Sequence, residues 1–365
     1  MPTLILSTCG TSLLTNVAGD QRGLVTRHAN ARESGDVPPD DRRFLSGLIS
    51  TCRDRLFHAG TNELAQLSAE LNSLVQLYDG QLQQTRDTHW LITTDTWLGS
   101  ETAASLAETL ERAGHQAIVK RISDLRTNDL NEFRIAMAEL ARLCAQDVHS
   151  MAEGGWRVVF NLTGGFKSVQ GFMQALGMLY ADESIYVFER TEQLLRLPQL
   201  PVSLDADVIV RKHEVIFRRL AVGLSVTAQL AKDMPDTLLM EDDGFVTLSV
   251  WGDVVWNQAG PKLLNERVWP SPDTKLRYGD NFCNTLTGCS PEECRMLNER
   301  IGELARHLHD DRFHPSRLDF KKLKVAQGIS THECDAWAKA SAKRLFGHFD
   351  AGVYVLDKLA PGLNH

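Results

Sequence analysis

NLTGGFKSVQG, residues 161–171, is a polar turn set between an apolar strand and an amphipathic helix. Residues 156–160 (WRVVF) are apolar and β-branched, as an interior strand of a parallel sheet should be. From Ser168 to Tyr180 the apolar residues Val169, Phe172, Met173, Leu176 and Leu179 recur at helical spacing. The turn therefore lies at a strand's carboxyl end and a helix's amino end, where open α/β sheets bind ligands. Gly164 and Gly165 let an anion approach backbone N–H groups, Thr163 and Ser168 offer hydroxyls, Lys167 adds a cation, and the helix dipole reinforces it. These residues predict an anion site. For two glycines alone, a plain strand-to-helix turn capped by Ser168 is the other reading.

Working outward, Thr3 to Ser7 (TLILS) is a second buried strand, ending in the small, hydroxyl-rich turn Cys9-Gly10-Thr11-Ser12 with Asn16 nearby. Residues 90–94 (WLITT) form a third, running into Asp95, Thr96 and Trp97. Between them, residues 16–45 lack periodicity and predict a long loop, followed by a helix near Arg43 to Ala59 and an amphipathic helix over Asn62 to Leu77. A helix over 101–113, a strand over Ala117 to Arg121 and a helix over Asp129 to Ala145 precede the opening stretch; strands Ile185 to Phe188 and Leu194 to Leu197 follow it. This alternation predicts a doubly wound α/β domain, with the turns near residues 10, 96 and 164 on one edge of one sheet. No GxGxxG with a downstream acid and no GxxxxGK[ST] occurs, so neither a dinucleotide site nor a P-loop is indicated.

Across 365 residues, 43% hydrophobic and 24% charged composition is that of a folded chain of two or three domains. The start, MPTLILSTCG, reads as a first strand rather than a signal peptide, and no run approaches a membrane span. A cytoplasmic protein without a membrane partner is expected. Seven cysteines are spread without CxxC pairs; Cys283, Cys289 and Cys294 fit free thiols better than zinc, and no metal is expected. A net charge of −8 argues against broad coating by nucleic acid, though not against a local basic patch.

STCGTSLLTN, NLTGGFKSVQGF and the continuation LGMLYADESIYVFERTEQLLRLPQLPV together resemble the CARF sensor domain of CRISPR-associated proteins, over residues 1–203. The resemblance implies a Rossmann-like α/β fold, a two-fold homodimer and binding of cyclic oligoadenylate across the dimer axis, with cyclic tetra-adenylate the preferred ring size. Carried over by position, the ligand residues are Gly10, Thr11, Ser12, Asp95, Thr96, Thr163, Gly164, Gly165, Phe166 and Lys167. The ligand is an allosteric activator, and no cofactor is implied.

After Pro201 the character changes. A charged helix over Asp207 to Leu220, a shorter one over Val226 to Ala231, a turn at Asp242-Asp243-Gly244 and FVTLSVWGDVVW suggest a small winged-helix-like connector, assigned to residues 204–284. Gln229, Lys232 and Asp233 make a poor DNA-recognition surface, which favours a linker or docking module.

Pro291 to His309 is an amphipathic helix with Leu297, Ile301, Leu304, Ala305 and Leu308 on one face. From Arg312 to Arg344, eight Lys or Arg stand against three acids, a local charge of +5 that marks a polyanion surface. The order helix, LDFKKLK, HECDAWAKASAKRLFGHF and GVYVLDKLAPGLNH resembles a RelE-like toxin, an α+β domain over residues 285–365, with Asp350-Ala351-Gly352 as a hairpin turn. Toxins of that family are metal-independent, ribosome-dependent ribonucleases that cut mRNA in the aminoacyl site. Such cleavage needs a base for the 2′-hydroxyl, cations for the phosphorane and an acid for the 5′-oxygen, and it leaves a 2′,3′-cyclic phosphate. The resemblance makes Arg344 the residue on the scissile phosphate and His365 a terminal acid or base. His348 lies four residues along the same strand; Lys322, Lys324, Lys339 and Lys343 are candidates for phosphate contacts, and His332 for acid–base work. Trp337 stands near where that family carries a lysine, and Tyr354 is expected to face the core.

The combined expectation is a CARF–RelE fusion in which cyclic oligoadenylate activates an endoribonuclease on ribosome-bound mRNA and so inhibits translation during antiviral defence. A ribosomal protein such as the stalk is a candidate partner for the connector. The alternatives are a ring nuclease, in which Lys167 and Ser12 act on the ligand itself, and a transcriptional regulator acting through the winged-helix segment.

Overall fold

Thr3–Thr8 (β1) has an apolar sequence that is buried from Leu4 onward, and it takes the centre of a six-stranded sheet. Its companions are β2 (Thr88–Thr93), β3 (Gln116–Arg121), β4 (Arg157–Asn161), β5 (Glu183–Phe188) and β6 (Gln193–Pro198), in the order β3-β2-β1-β4-β5-β6. All neighbours are parallel except β6, which returns antiparallel to β5. The computed structural model describes residues 1–82, 87–126, 129–188, 193–201, 204–337 and 342–362. The chain divides into two compact units, Met1–Leu204 and Asp205–His365.

In the first unit the helices are α1 (Ser12–Ala18), α2 (Arg22–Arg27), α3 (Pro39–His58), α4 (Thr61–Leu67), α5 (Ala69–Leu77), α6 (Trp97–Arg112), α7 (Leu130–Leu143), α8 (His149–Glu153) and α9 (Lys167–Tyr180). One core gathers Leu13, Leu45, Leu71 and Leu106 against Ile5, Leu91, Val159 and Ile185 of the sheet. On the other face α9 packs over β4 and β5, with Gly177 against Phe160 and Ser184. Helices on both faces of a mainly parallel sheet make the doubly wound α/β arrangement that the alternation predicts.

Two expectations change. Residues 16–45 are not a long loop: α1, α2 and the start of α3 occupy much of it, anchored where Val25 and Val37 enter the core. The expected helix over Asn62 to Leu77 is two, because Ser68 leaves helical geometry at φ −146°, ψ 144° and its hydroxyl caps α5 by accepting from the Leu71 N–H.

The second unit begins with α10 (Ala206–Lys212) and α11 (Glu214–Ala221), then β7 (Val226–Thr227), β8 (Leu239–Asp242), β9 (Phe245–Leu248) and α12 (Val250–Glu266). β8 and β9 form the expected hairpin, and β7 completes a small β7-β9-β8 sheet. Val226 to Ala231 is a short strand and turns rather than a helix. VWGDVVW turns out helical because Ser249 caps α12 through the Gly252 N–H and ends the strand at Leu248.

A five-stranded sheet follows, built from β10 (Leu276–Tyr278), β11 (Lys321–Gln327), β12 (Ser330–Trp337), β13 (Lys343–Asp350) and β14 (Val353–Pro361), with α13 (Pro291–His309) before β11. The order is β10-β14-β13-β12-β11, antiparallel except for β10, which is parallel to β14. This sheet thus takes an edge strand from residues N-terminal to 285. α13, capped by a Ser290–Glu293 capping box, places Leu297, Ile301 and Leu304 against Leu345, Tyr354 and Leu356. Burial of each of these aliphatic side chains contributes about 1.5–3 kcal/mol. None of the described helices is long and apolar enough to cross a membrane.

Candidate functional site

In the first unit the strand order reverses between β1 and β4, and the turns leaving these two strands meet at their carboxyl ends. A Cβ on Gly10 would lie 3.1 Å from the Gly165 N and Cα, and Gly165 itself has φ +95°. Only residues without side chains let the two turns approach this closely. Thr8 Oγ1 donates to the Gly164 carbonyl at 2.6 Å, and Gln170 Nε2 donates to the same oxygen at 2.9 Å. Phe166 is the N-cap of α9 and supplies no side-chain hydrogen bond; Lys167 and Ser168 are exposed in its first turn. Ser168 is therefore inside the helix and not its cap, and the first-turn N–H groups of α9 carry no side-chain cap.

A residue that sequence reasoning missed sits between the turns. Glu70 in α5 is 1% exposed; its Oε1 accepts from the Gly10 N–H at 2.8 Å, and its Oε2 accepts from Ser12 Oγ at 2.7 Å and Ser68 Oγ at 2.8 Å. A side chain on Gly164 would collide with this carboxylate. Beneath it, Asn161 Nδ2 donates to Ser7 Oγ, and Ser73 Oγ donates to Asn161 Oδ1 at 2.6 Å. Two donors expected to meet a phosphate, Gly10 N–H and Ser12 Oγ, thus already hold an internal anion. The sequence signal was an acid on the apolar face, one residue before Leu71 and three after Leu67. Burial and the Glu70 charge push the Cys9 thiol well above its usual range, which keeps it inert.

The other ligand candidates are placed as follows. Thr11 precedes α1 and its carbonyl accepts from the Thr15 N–H. Thr163 Oγ1 accepts from the Val187 N–H at 3.2 Å. Thr96 is buried and caps α6 through the Gly99 N–H, a structural task. Asp95 accepts from Arg121 Nε at 2.7 Å and from the Asp124 N–H at 3.3 Å, with Arg32 Nε at 3.9 Å. Lys167 carries no ion pair among the described residues, which leaves it the available cation of the crevice.

In the second unit the catalytic candidates separate. Arg344 and His348 alternate with Leu345 along β13, so both lie on the side of the strand away from the Leu345 core. At about 3.3 Å per residue they are roughly 13 Å apart, too far to grip one phosphate together. Arg344 is enclosed by carboxylates: Asp319 at 2.6 Å, Glu333 at 3.1 Å and Asp335 at 3.2 Å. His348 Nδ1 lies 3.0 Å from Asp357 Oδ2, which also accepts from Ser330 Oγ at 2.7 Å.

His332 pairs in register with Gly347 and stacks on Phe320, meeting Phe349 and Tyr354. Burial, with Lys322 next, lowers its pKa. Lys322 pairs in register with His332, and Lys324 is exposed on the same edge strand. Lys343 Nζ stands 5.5 Å from the Trp337 ring centroid. Tyr354 faces the core, its hydroxyl buried and without a partner among the described residues. Lys339 and His365 lie outside the described residues. The expected basic surface is also partly neutralised, since Arg312 pairs with Asp310, Arg317 with Glu303, and Lys321 with Asp319. No group of three or more His, Cys, Asp or Glu among the described residues is placed to hold a metal.

The first unit is thus an open α/β fold with a crevice at the switch point of its sheet. Residues 65–200 match the family model described as CRISPR-associated protein (Cas_APE2256). The matched span runs through β2 to β6 and includes Glu70, Asp95 and the turn from Thr163 to Lys167. No curated protein matches the chain.

Proposed function

We propose that the chain is a CRISPR-associated sensor–effector: a two-fold dimer of the first unit binds cyclic oligoadenylate, cyclic tetra-adenylate by preference, and activates a ribonuclease in the second unit that cuts mRNA on the ribosome. The observation that carries the sensor assignment is the β1–β4 crevice, whose β4 turn lies in the segment matching the CRISPR-associated family. There an uncapped helix start and exposed Lys167 offer donors and charge to a phosphate. The effector assignment draws on the toxin-like order of elements in residues 285–365, with His348 on the side of β13 away from the Leu345 core. Ribosomes programmed with mRNA, incubated with protein with and without cyclic tetra-adenylate, should show activator-dependent cuts at aminoacyl-site codons that end in 2′,3′-cyclic phosphates. Their absence would count against the effector reading. Lys167→Ala should weaken activator binding about tenfold or more, roughly 1.4 kcal/mol, by calorimetry.

One observation favours a second reading. Ser12 Oγ donates to the Glu70 carboxylate at 2.7 Å beside the crevice, a hydroxyl–base pair that ligand cleavage by the sensor itself could use. Breakdown of cyclic tetra-adenylate that Glu70→Gln abolishes would establish that ring-nuclease activity.

A further inference from the structure

A cavity of about 520 Å³ in the second unit is lined by His348, Asp357, Ser330, Lys358, Gln327 and Arg277, among others. Its geometry points to a catalytic centre built on a His348–Asp357 dyad, with Lys358 as the cation at the phosphate, rather than on Arg344; this inference rests on the ribonuclease reading above. The register of β14 against β13 shifts here: Lys358 opposes Phe346 and Leu356 opposes Gly347, so Asp357 is the extra residue of a bulge. Bulges re-aim side chains, and this one turns Asp357 onto two partners at once. The Asp357 residue is 9% exposed, and its carboxylate meets His348 Nδ1 at 3.0 Å and Ser330 Oγ at 2.7 Å. A carboxylate on Nδ1 selects the tautomer with its proton there, which leaves the Nε2 lone pair as a base. Nε2 has no partner among the described residues.

Lys358 Nζ is held at 3.1 Å from Gln327 Oε1 and 5.1 Å from the Phe346 ring centroid, with no carboxylate on it among the described residues. Arg344 has three carboxylates, and Glu333 beneath it has a side chain only 2% exposed. Its charge is committed to the fold. In the reaction, His348 Nε2 takes the proton from a ribose 2′-hydroxyl as that oxygen bonds to phosphorus. The bond from phosphorus to the 5′-oxygen breaks, and the 5′-oxygen takes a proton from the Lys358 ammonium. Solvent returns the proton from His348 to Lys358. The products are a 2′,3′-cyclic phosphate and a 5′-hydroxyl, with no redox change and no other reactant.

The test uses the full chain, cyclic tetra-adenylate and mRNA-programmed ribosomes, with thermal unfolding of every variant measured in parallel. His348→Ala should lower kcat by about 10²- to 10⁴-fold, with partial recovery in added imidazole. Asp357→Asn should lower kcat by about 10²-fold at little change in KM, and Lys358→Gln should lower kcat by about tenfold or more. Folded Asp357→Asn cutting at the wild-type rate, or His348→Ala that imidazole does not restore, overturns the dyad while leaving the ribonuclease reading intact. A wild-type protein that cuts nothing overturns both.

Discussion

Glu70 places a buried negative charge in the crevice where positive charge and donors are expected; its bonds from Gly10 and Ser12 tie α5 to the segment after β1, and its bond from Ser68 holds α5's own cap. Glu70→Ala leaves the Gly10 N–H and two hydroxyls without their acceptor, a loss of about 2–4 kcal/mol that urea unfolding of the first unit can measure. An unchanged midpoint would show that the carboxylate does not organise the turns. His89, at the other end of β2, is fully buried; its Nε2 lies 3.1 Å from Tyr78 Oη and its ring 4.8 Å from that of His115. Burial, then the charge of His115, pushes its pKa from 6.5 down to about 3. The folded state therefore holds His89 neutral while the unfolded chain takes up a proton below pH 6.5. This contribution is complete above that pH and is lost as pH falls towards 3. From pH 7 to pH 5 the loss is about 2 kcal/mol, and His89→Gln should remove that part of the pH dependence in denaturant titrations.

At the scale of elements, the meeting of the β1 and β4 turns depends on Gly165, whose φ of +95° and contact with Thr8 resist any side chain. Gly165→Ala should cost about 1–3 kcal/mol and weaken activator binding, read by unfolding and by calorimetry. A variant as stable as the parent would mean that the turn relaxes freely. The strands around this crevice were legible because β1, β2 and β4 are continuous apolar runs that end in polar turns. The break at Ser68 was not, since Leu64, Leu67, Leu71 and Leu74 keep a helical period straight across it. β10 has three residues, too few for any period, and reveals itself through its pairing with β14. Lys167 and its turn could be read from local sequence; the carboxylate that answers Gly10 comes from 60 residues away in the chain. The same holds for Arg344. Glu333 and Asp335 recur at the period of a strand, but their convergence on Arg344 needs the β12–β13 register.

For the whole molecule, each unit encloses its own hydrophobic core, one around Ile5 and Leu91 and another around Leu304 and Leu345. Calorimetric scans should therefore resolve two unfolding transitions, and cyclic tetra-adenylate at a hundred times its Kd should stabilise the first unit by about 2.7 kcal/mol. A single transition that ignores the ligand would refute both points. The strand order of the second unit also orders events during synthesis. β14 is the last of the described strands yet lies inside its sheet, between β10 and β13, and it carries Asp357. Until β14 has emerged, β10 has no neighbour and His348 has no carboxylate. Chains fold from their N-termini as they are made, so the first unit is complete before the five-stranded sheet of the second unit closes. If the second unit cuts mRNA as proposed, an incomplete chain still held by its ribosome carries a folded first unit but no finished cutting site.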